Sequence, residues 1–150
     1  MDGNAMTTAP KVVNGINVDD LFALIKRRFS MDIDEPLELG GSNRFANPQE
    51  YLISALNACM TVGYVAQCAV RGITLESLEI ETDGDIDLRG FLGLDPAVPA
   101  GYESLNTTVR IKGSGTQEQF AEVHAAVMAT SPNFYNISRP VVLEPTLVVE

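Results

Sequence analysis

The stretch Asn47–Gly72, NPQEYLISALNACMTVGYVAQCAVRG, constrains the fold more than any other part of the chain. It reads as one long helix with a marked start and a marked stop. Asn47 is a favoured N-cap, because its side-chain oxygen accepts a backbone N–H of the first turn. Pro48 follows at the first helical position, where a missing N–H leaves nothing unsatisfied. Glu50, three residues after the cap, reaches back to the cap's own N–H. Arg71 adds positive charge near the other end, and Gly72 supplies the left-handed residue at which helices commonly stop. Almost everything between is apolar or small, including Leu52, Leu56, Cys59, Met60, Val62, Val65 and Val70. At roughly 1.5 Å per residue the rod is about 36 Å long, enough to cross a small domain. A helix apolar on all sides is a central one, covered on every face. One chain of this length has too little material to surround it, so the pattern predicts a tight homodimer in which both copies share the covered volume.

The totals fit that picture. Hydrophobic residues make up 45% of the 150 positions, enough for a substantial core in a single domain. A net charge of −10 leaves nothing to neutralise phosphates, which excludes a nucleic-acid-binding surface. Cys59 and Cys68 both fall in the central helix and, at ~100° per residue, face opposite ways, so no disulfide joins them while the helix is intact. That usage, with an opening MDGNAMTTAP that has no leader-like apolar core, predicts a reducing cytoplasm. Gln49, Glu50, Asn57, Gly63 and Gln67 interrupt the helix before it reaches the ~18 strictly apolar residues of a membrane span, and no membrane is expected as a partner.

Elsewhere the elements are read from spacing. Residues 1–12 read as a loose terminus. GINVDDLFALIKRRF (15–29) reads as a short amphipathic helix capped by Asn17 or Asp19. Met31–Glu38 alternates weakly and, with Pro36 inside it, fits an edge strand; Gly40-Gly41-Ser42-Asn43 is a turn. After the central helix, Leu75, Leu78, Ile80 and Thr82 fall on a period of two over part of the run, Leu75 out of phase with the rest, with Glu79 and Glu81 opposite, the signature of a solvent-facing strand. Asp83-Gly84 signals a turn, with a return strand beginning at Ile86–Leu88. A Gly/Pro-rich loop covers 90–101 and a third strand 103–112. Thr116 caps a second helix that ends before Pro132, Ser131–Tyr135 is a loop, and Val141–Glu150 is a final strand. Antiparallel strands with two long helices between them make an α+β domain, with no internal boundary in 1–150.

Cys59 is the candidate for chemistry, although a helix cysteine is often only a small apolar residue, and Cys68 more so. His124, the lone histidine, has no partners at metal-ligand or triad spacing. No Gly-rich phosphate loop or metal cluster appears, since Gly90, Gly93 and Gly101 lack the strand-to-helix context, and no cofactor is expected. Asn47-Pro48 leading an apolar helix into Ala58-Cys59 and then Arg71-Gly72-Ile73 resembles the OsmC/Ohr family, the osmotically inducible and organic hydroperoxide resistance proteins. Asp87–Leu94 (DLRGFLGL) and Ser131-Pro132-Asn133-Phe134 are similar to that family too. The resemblance covers residues 40–150, and residues 1–39 are atypical of it.

The resemblance implies an intertwined homodimer, with antiparallel sheets wrapped around two long central helices. It also implies a peroxidatic cysteine that becomes a sulfenic acid and is resolved by a second cysteine, with an Arg and a Glu positioning the thiolate. Carried over, Cys59 is the peroxidatic residue, Gln49 stands where the family has its Glu, and Glu50 is one place later. Ser131 stands where the family has its resolving cysteine, and Arg44 is the nearby candidate for the Arg. A serine cannot form a disulfide, so the expected function is cysteine-based reduction of organic hydroperoxides with an external thiol reductant. The alternative is a non-catalytic protein binding a small apolar ligand at the dimer interface.

Overall fold

The computed structural model describes residues 12–13, 16–17 and 30–149. The chain divides into two compact units, Met1–Ile33 and Asp34–Glu150. In the first, strands β1 (Val12–Val13) and β2 (Ile16–Asn17) pair antiparallel, with Val13 opposite Ile16. Asn17 is therefore in a strand and does not cap a helix. The sequence between the strands, Asn14-Gly15, is a strong hairpin signal that outranks helical spacing here. The remainder of the expected 15–29 helix lies outside the described residues.

The second unit begins with a turn instead of the expected edge strand over 31–38. The Asp34 carboxylate accepts the backbone N–H groups of Glu35, Ser42 and Arg44 and so folds the chain back on itself. A 3-10 turn, Leu37–Leu39, follows Pro36 and ends on Gly40 at φ 83°. This leads into α1 (Pro48–Val70), whose ends are those expected. The Asn47 side chain accepts the Glu50 N–H at 2.8 Å and Glu50 Oε2 accepts the Asn47 N–H at 2.8 Å. At the far end Gly72 takes φ 66°, the Gly72 N–H bonds Ala69 O and the Ile73 N–H bonds Cys68 O, which satisfies the carbonyls a helix end leaves open.

Strand β3 (Leu75–Asp83) pairs antiparallel with β4 (Asn106–Gly113). Leu78 faces Ile111 and Ile80 faces Val109, and these side chains pack on the core. Leu75 is out of step with that alternation because the ladder bulges between Leu75 and Ser77. On the outer face Arg110 meets Glu81 at 2.9 Å, and Lys112 meets Glu76 at 2.7 Å. The return strand expected at 86–88 is absent. The Asp87 side chain instead accepts the Arg89 N–H and starts a short helix, α2 (Leu88–Phe91), so the true partner of β3 arrives only at Asn106.

Helix α3 (Gln117–Thr130) starts in a second capping box, Thr116 with Gln119. The Ser131–Tyr135 segment expected as a loop belongs to another helix, α4 (Pro132–Ser138), with Ser131 as its N-cap. Residues 141–149 form no strand and expose Val142, Leu143, Leu147, Val148 and Val149.

Within this chain α1 is covered along one stripe only. Leu56, Met60, Tyr64 and Cys68, at i, i+4 spacing, are buried with Val123 and Val127 of α3 and Ile73. The helices approach closely at Gly63, where an added Cβ would stand 3.1 Å from Val127 Cγ1. The buried Tyr64 hydroxyl is hydrogen-bonded to His124 Nδ1 at 2.5 Å. Asn57 ties the same helix to the sheet, accepting from Thr82 Oγ1 at 2.7 Å and donating to Ile80 O. The opposite face, including Val62 at 70% exposed and Val65, is open, so the covering expected on every side is not completed by one chain. By length and a mean hydropathy of 1.4 the helix also reaches the composition of a membrane span, interruptions included.

Candidate functional site

Cys59 sits at the border between the covered stripe of α1 and its open face, half-buried, with a free thiol. Cys68, half a turn out of phase, is sealed in the core; burial pushes its thiol up, with Arg71 pulling weakly the other way. The two sulfurs belong to different environments, as the helical phase requires.

The partner of Cys59 comes from the other end of the chain. Ser131 Oγ donates to Cys59 Sγ at 3.4 Å across a sequence separation of 72. The serine is 5% exposed and is held from both sides. Its N–H bonds Val127 O at 2.8 Å, closing α3, and its hydroxyl oxygen accepts the Phe134 N–H at 3.4 Å, opening α4. A hydroxyl has one proton to give, and with the oxygen already accepting from Phe134 that proton is aimed at the sulfur. Pro132 at the first position of α4 and the Asn133 amide, which donates to Ala55 O at 2.8 Å, lock this junction against α1 one turn before the cysteine.

The other residues singled out in the sequence lie elsewhere. Glu50 spends its carboxylate on the Asn47 N–H. Gln49 is half-buried and lines two cavities at the start of α1. The Arg44 guanidinium lies over the Phe45 ring, 5.7 Å from its centre, while its N–H serves the Asp34 turn. Thus Cys59 and Ser131 are brought into contact, while Glu50 and Arg44 are engaged in local structure. Among the described residues no group of three or more His, Cys, Asp or Glu side chains could hold a metal ion.

A groove of about 670 Å³ lies beside the first half of α1. Leu52 and Leu56 form one wall, Phe134 and Ile137 of α4 the other, and Leu105 the floor before β4. Tyr102 also lines it, and its hydroxyl is pushed up first by burial and second by Glu50. Two of its lining residues neighbour the Cys59–Ser131 contact: Leu56 is one turn before Cys59, and Phe134 donates its N–H to Ser131 Oγ, while neither Cys59 nor Ser131 lines the groove itself.

The family model for OsmC-like protein matches residues 41–146. The chain belongs to the OsmC-like family. Among solved structures it is similar to an OsmC like protein from Mycoplasma pneumoniae, with a TM-score of 0.63 at 17% identity over 74% of each chain. It is also similar to an organic hydroperoxide resistance protein OsmC from Legionella pneumophila, with a TM-score of 0.52 at 20% identity over 73% of this chain and 74% of that one. No curated protein sequence matches. At these identities the structural likeness speaks to the OsmC-like fold.

Two parts of the OsmC-like site escape sequence reasoning. The groove needs Leu105 and Ile137, whose apolar character is common to core positions everywhere. Asn133, the clamp between α4 and α1, follows a Ser-Pro pair that reads as a turn, although Ser-Pro is equally a helix start with the serine as N-cap and proline at the first position.

Proposed function

We propose that this OsmC-like chain is a one-cysteine thiol peroxidase that reduces organic hydroperoxides at Cys59. The observation that carries the reading is the Ser131 hydroxyl donating to the Cys59 sulfur at 3.4 Å from the end of α3. A half-buried sulfur beside a fixed donor suits attack on a hydroperoxide. In the first step Cys59–SH and ROOH give Cys59–SOH and ROH, with the O–O bond broken and the sulfur oxidised by two electrons. Neither a serine nor a Cys68 facing away can take the sulfenic acid into an intrachain disulfide. An external thiol R′SH therefore forms Cys59–S–SR′ with release of water, and a second R′SH restores the thiol and leaves R′SSR′. The name of the Legionella relative points to the same chemistry.

The working unit is a homodimer in this reading. Ala55, Ala58, Val62, Val65, Ala66 and Ala69 make an open stripe of small and β-branched side chains along α1, on which a second α1 would pack closely. Such a partner would also roof the groove at Leu52. Two free cysteines fit a reducing compartment, in keeping with a cytoplasmic location.

Stopped-flow oxidation with cumene hydroperoxide, followed by trapping of Cys59 sulfenic acid and by turnover with small thiols, tests this. Stoichiometric trapping in wild type and none in Cys59→Ser is the expected result. A Cys59 that remains a thiol under excess peroxide refutes it. The groove itself favours the second reading, a ligand-binding protein without turnover, and an apolar molecule co-purifying in that groove with a peroxide-inert Cys59 would decide for it.

A further inference from the structure

The junction between α3 and α4 meets α1 through two side-chain hydrogen bonds that converge on one residue. Ser131 Oγ donates to Cys59 Sγ at 3.4 Å. Two positions later the Asn133 amide donates to Ala55 O at 2.8 Å. In an α-helix the carbonyl of residue 55 is the acceptor for the N–H of residue 59, and α1 is helical through both. A carbonyl oxygen has two lone pairs and takes both donors. Cys59 is therefore addressed twice from α4, at its sulfur by Ser131 and at its backbone acceptor by Asn133. The other bonds of the junction are internal to it. The Ser131 N–H closes α3 on Val127 O, the Ser131 oxygen accepts the Phe134 N–H, and Pro132 fixes the first position of α4. They orient the serine within its own segment, but none of them reaches α1. The Asn133 amide does.

We propose that Asn133 is a positioning residue for Cys59: by tying the first turn of α4 to Ala55 O it holds the Ser131 hydroxyl on the sulfur and so sets the reactivity of the thiol. A hydrogen bond donated to sulfur favours thiolate over thiol, and thiolate is the nucleophile. Without the amide, α4 keeps its serine cap but is no longer tied at this point to the turn of α1 that ends in Cys59. The hydroxyl then turns to water. Asn133 itself touches no reacting atom and acts through Ser131. Its part in peroxide reduction rests on the peroxidase reading; its effect on thiol reactivity does not.

The experiment separates the two. Full-length protein is alkylated with iodoacetamide at neutral pH, and Cys59 and Cys68 are read separately by peptide mass. Asn133→Ala keeps a strong helix former in the first turn of α4 and removes the donor. It slows alkylation of Cys59 about fivefold, the net worth of one hydrogen bond, while the buried Cys68 stays unmodified. Asn133→Leu restores the volume without a donor and is slowed alike. Ser131→Ala is slowed to the same degree, and adding Asn133→Ala to it has no further effect, because the amide has nothing left to position. A wild-type rate in Asn133→Ala, recovery in Asn133→Leu, losses that multiply in the double variant, or alkylation of Cys68 alongside Cys59 overturns the assignment. With cumene hydroperoxide, sulfenic acid formation falls by the same factor in Asn133→Ala. The expected alkylation pattern in a protein whose wild type forms no sulfenic acid supports the positioning role and refutes the peroxidase reading.

Discussion

Replacing Ser131 by cysteine puts a second thiol where the hydroxyl now touches Cys59. The starting gap is 3.4 Å between Oγ and Sγ. A disulfide needs about 2.05 Å between sulfurs. The longer carbon–sulfur bond supplies part of the difference and a small χ1 rotation at either residue the rest, because the start of α4 is already fixed against α1 by Asn133. The bond would close a loop over a separation of 72 residues. The chain-entropy relation gives about 4 kcal/mol for a loop of that size, an upper figure because native strain subtracts from it. At about 2–4 °C per kcal/mol for a chain of this length, oxidised Ser131→Cys melts about 10 °C above the same protein reduced. The assay is paired melting with and without dithiothreitol, together with thiol counting after one equivalent of hydroperoxide. Wild type should yield a sulfenic acid that persists until thiol is added, and the variant should yield an intrachain disulfide and no trappable sulfenic acid. If the variant keeps both thiols under a disulfide-forming oxidant, or if oxidation leaves its melting point unchanged, the contact between α3 and Cys59 is not as described.

Gly63→Ala should lower stability by about 1 kcal/mol in urea unfolding, because overpacking against Val127 costs about 1–3 kcal/mol and helix propensity returns only part. Adding Val127→Ala should show favourable coupling, and additive losses would refute the close approach. In acid, the Ser42, Arg44 and Glu35 N–H groups hold the Asp34 carboxyl below its ordinary range, and the Arg89 guanidinium holds Asp87 at about 2. Both are depressed in the folded chain, so their contribution is complete above the ordinary value of 3.8 and is lost as pH falls below it, for Asp87 as pH approaches about 2; the urea midpoint should drop as pH falls below 3.8, and less steeply in Asp34→Asn. In alkali, burial pushes the Tyr64 hydroxyl up to about 12, so the unfolded chain ionises first and stability should fall from pH 10 toward 12. Tyr64→Phe should flatten that slope whatever it does to stability at neutral pH, and an unchanged slope would refute the assignment.

The ends of α1 were legible because caps are local. Asn47, Pro48, Glu50 and Gly72 each act within one turn of themselves, and the structure uses each as the residue types require. The outer face of β3 was legible for the same reason, and even its flaw, Leu75 falling out of phase, corresponds to a real bulge. What failed depends on partners far away in the chain. Ile86–Leu88 has strand-like residues, but Asp87 offers its side chain to Arg89 before a strand can pair. Val141–Val149 has the composition of a strand, yet composition does not supply a pairing neighbour, and among the described residues no strand pairs with it. The contact between Cys59 and Ser131 spans 72 positions, and no periodicity connects them. Only the resemblance to a family with cysteine at the second position drew attention to that serine.

The uncovered tail has a consequence for handling the protein. A run of Val141, Val142, Leu143, Leu147, Val148 and Val149 in the open is the kind of segment that seeds intermolecular β-structure. Its spacing works against that outcome. Pro140, Glu144 and Pro145 leave at most four consecutive residues, 146–149, free of a proline or a carboxylate, shorter than the six or seven that a steric zipper requires. Glu144 acts as gatekeeper in a chain that already carries a net charge of −10. Colloidal stability should therefore be sensitive to that one acidic side chain: neutralising it, or bringing the solution toward the isoelectric point near 4.4, leaves Pro145 as the remaining break between the two short apolar runs without altering the fold of the core.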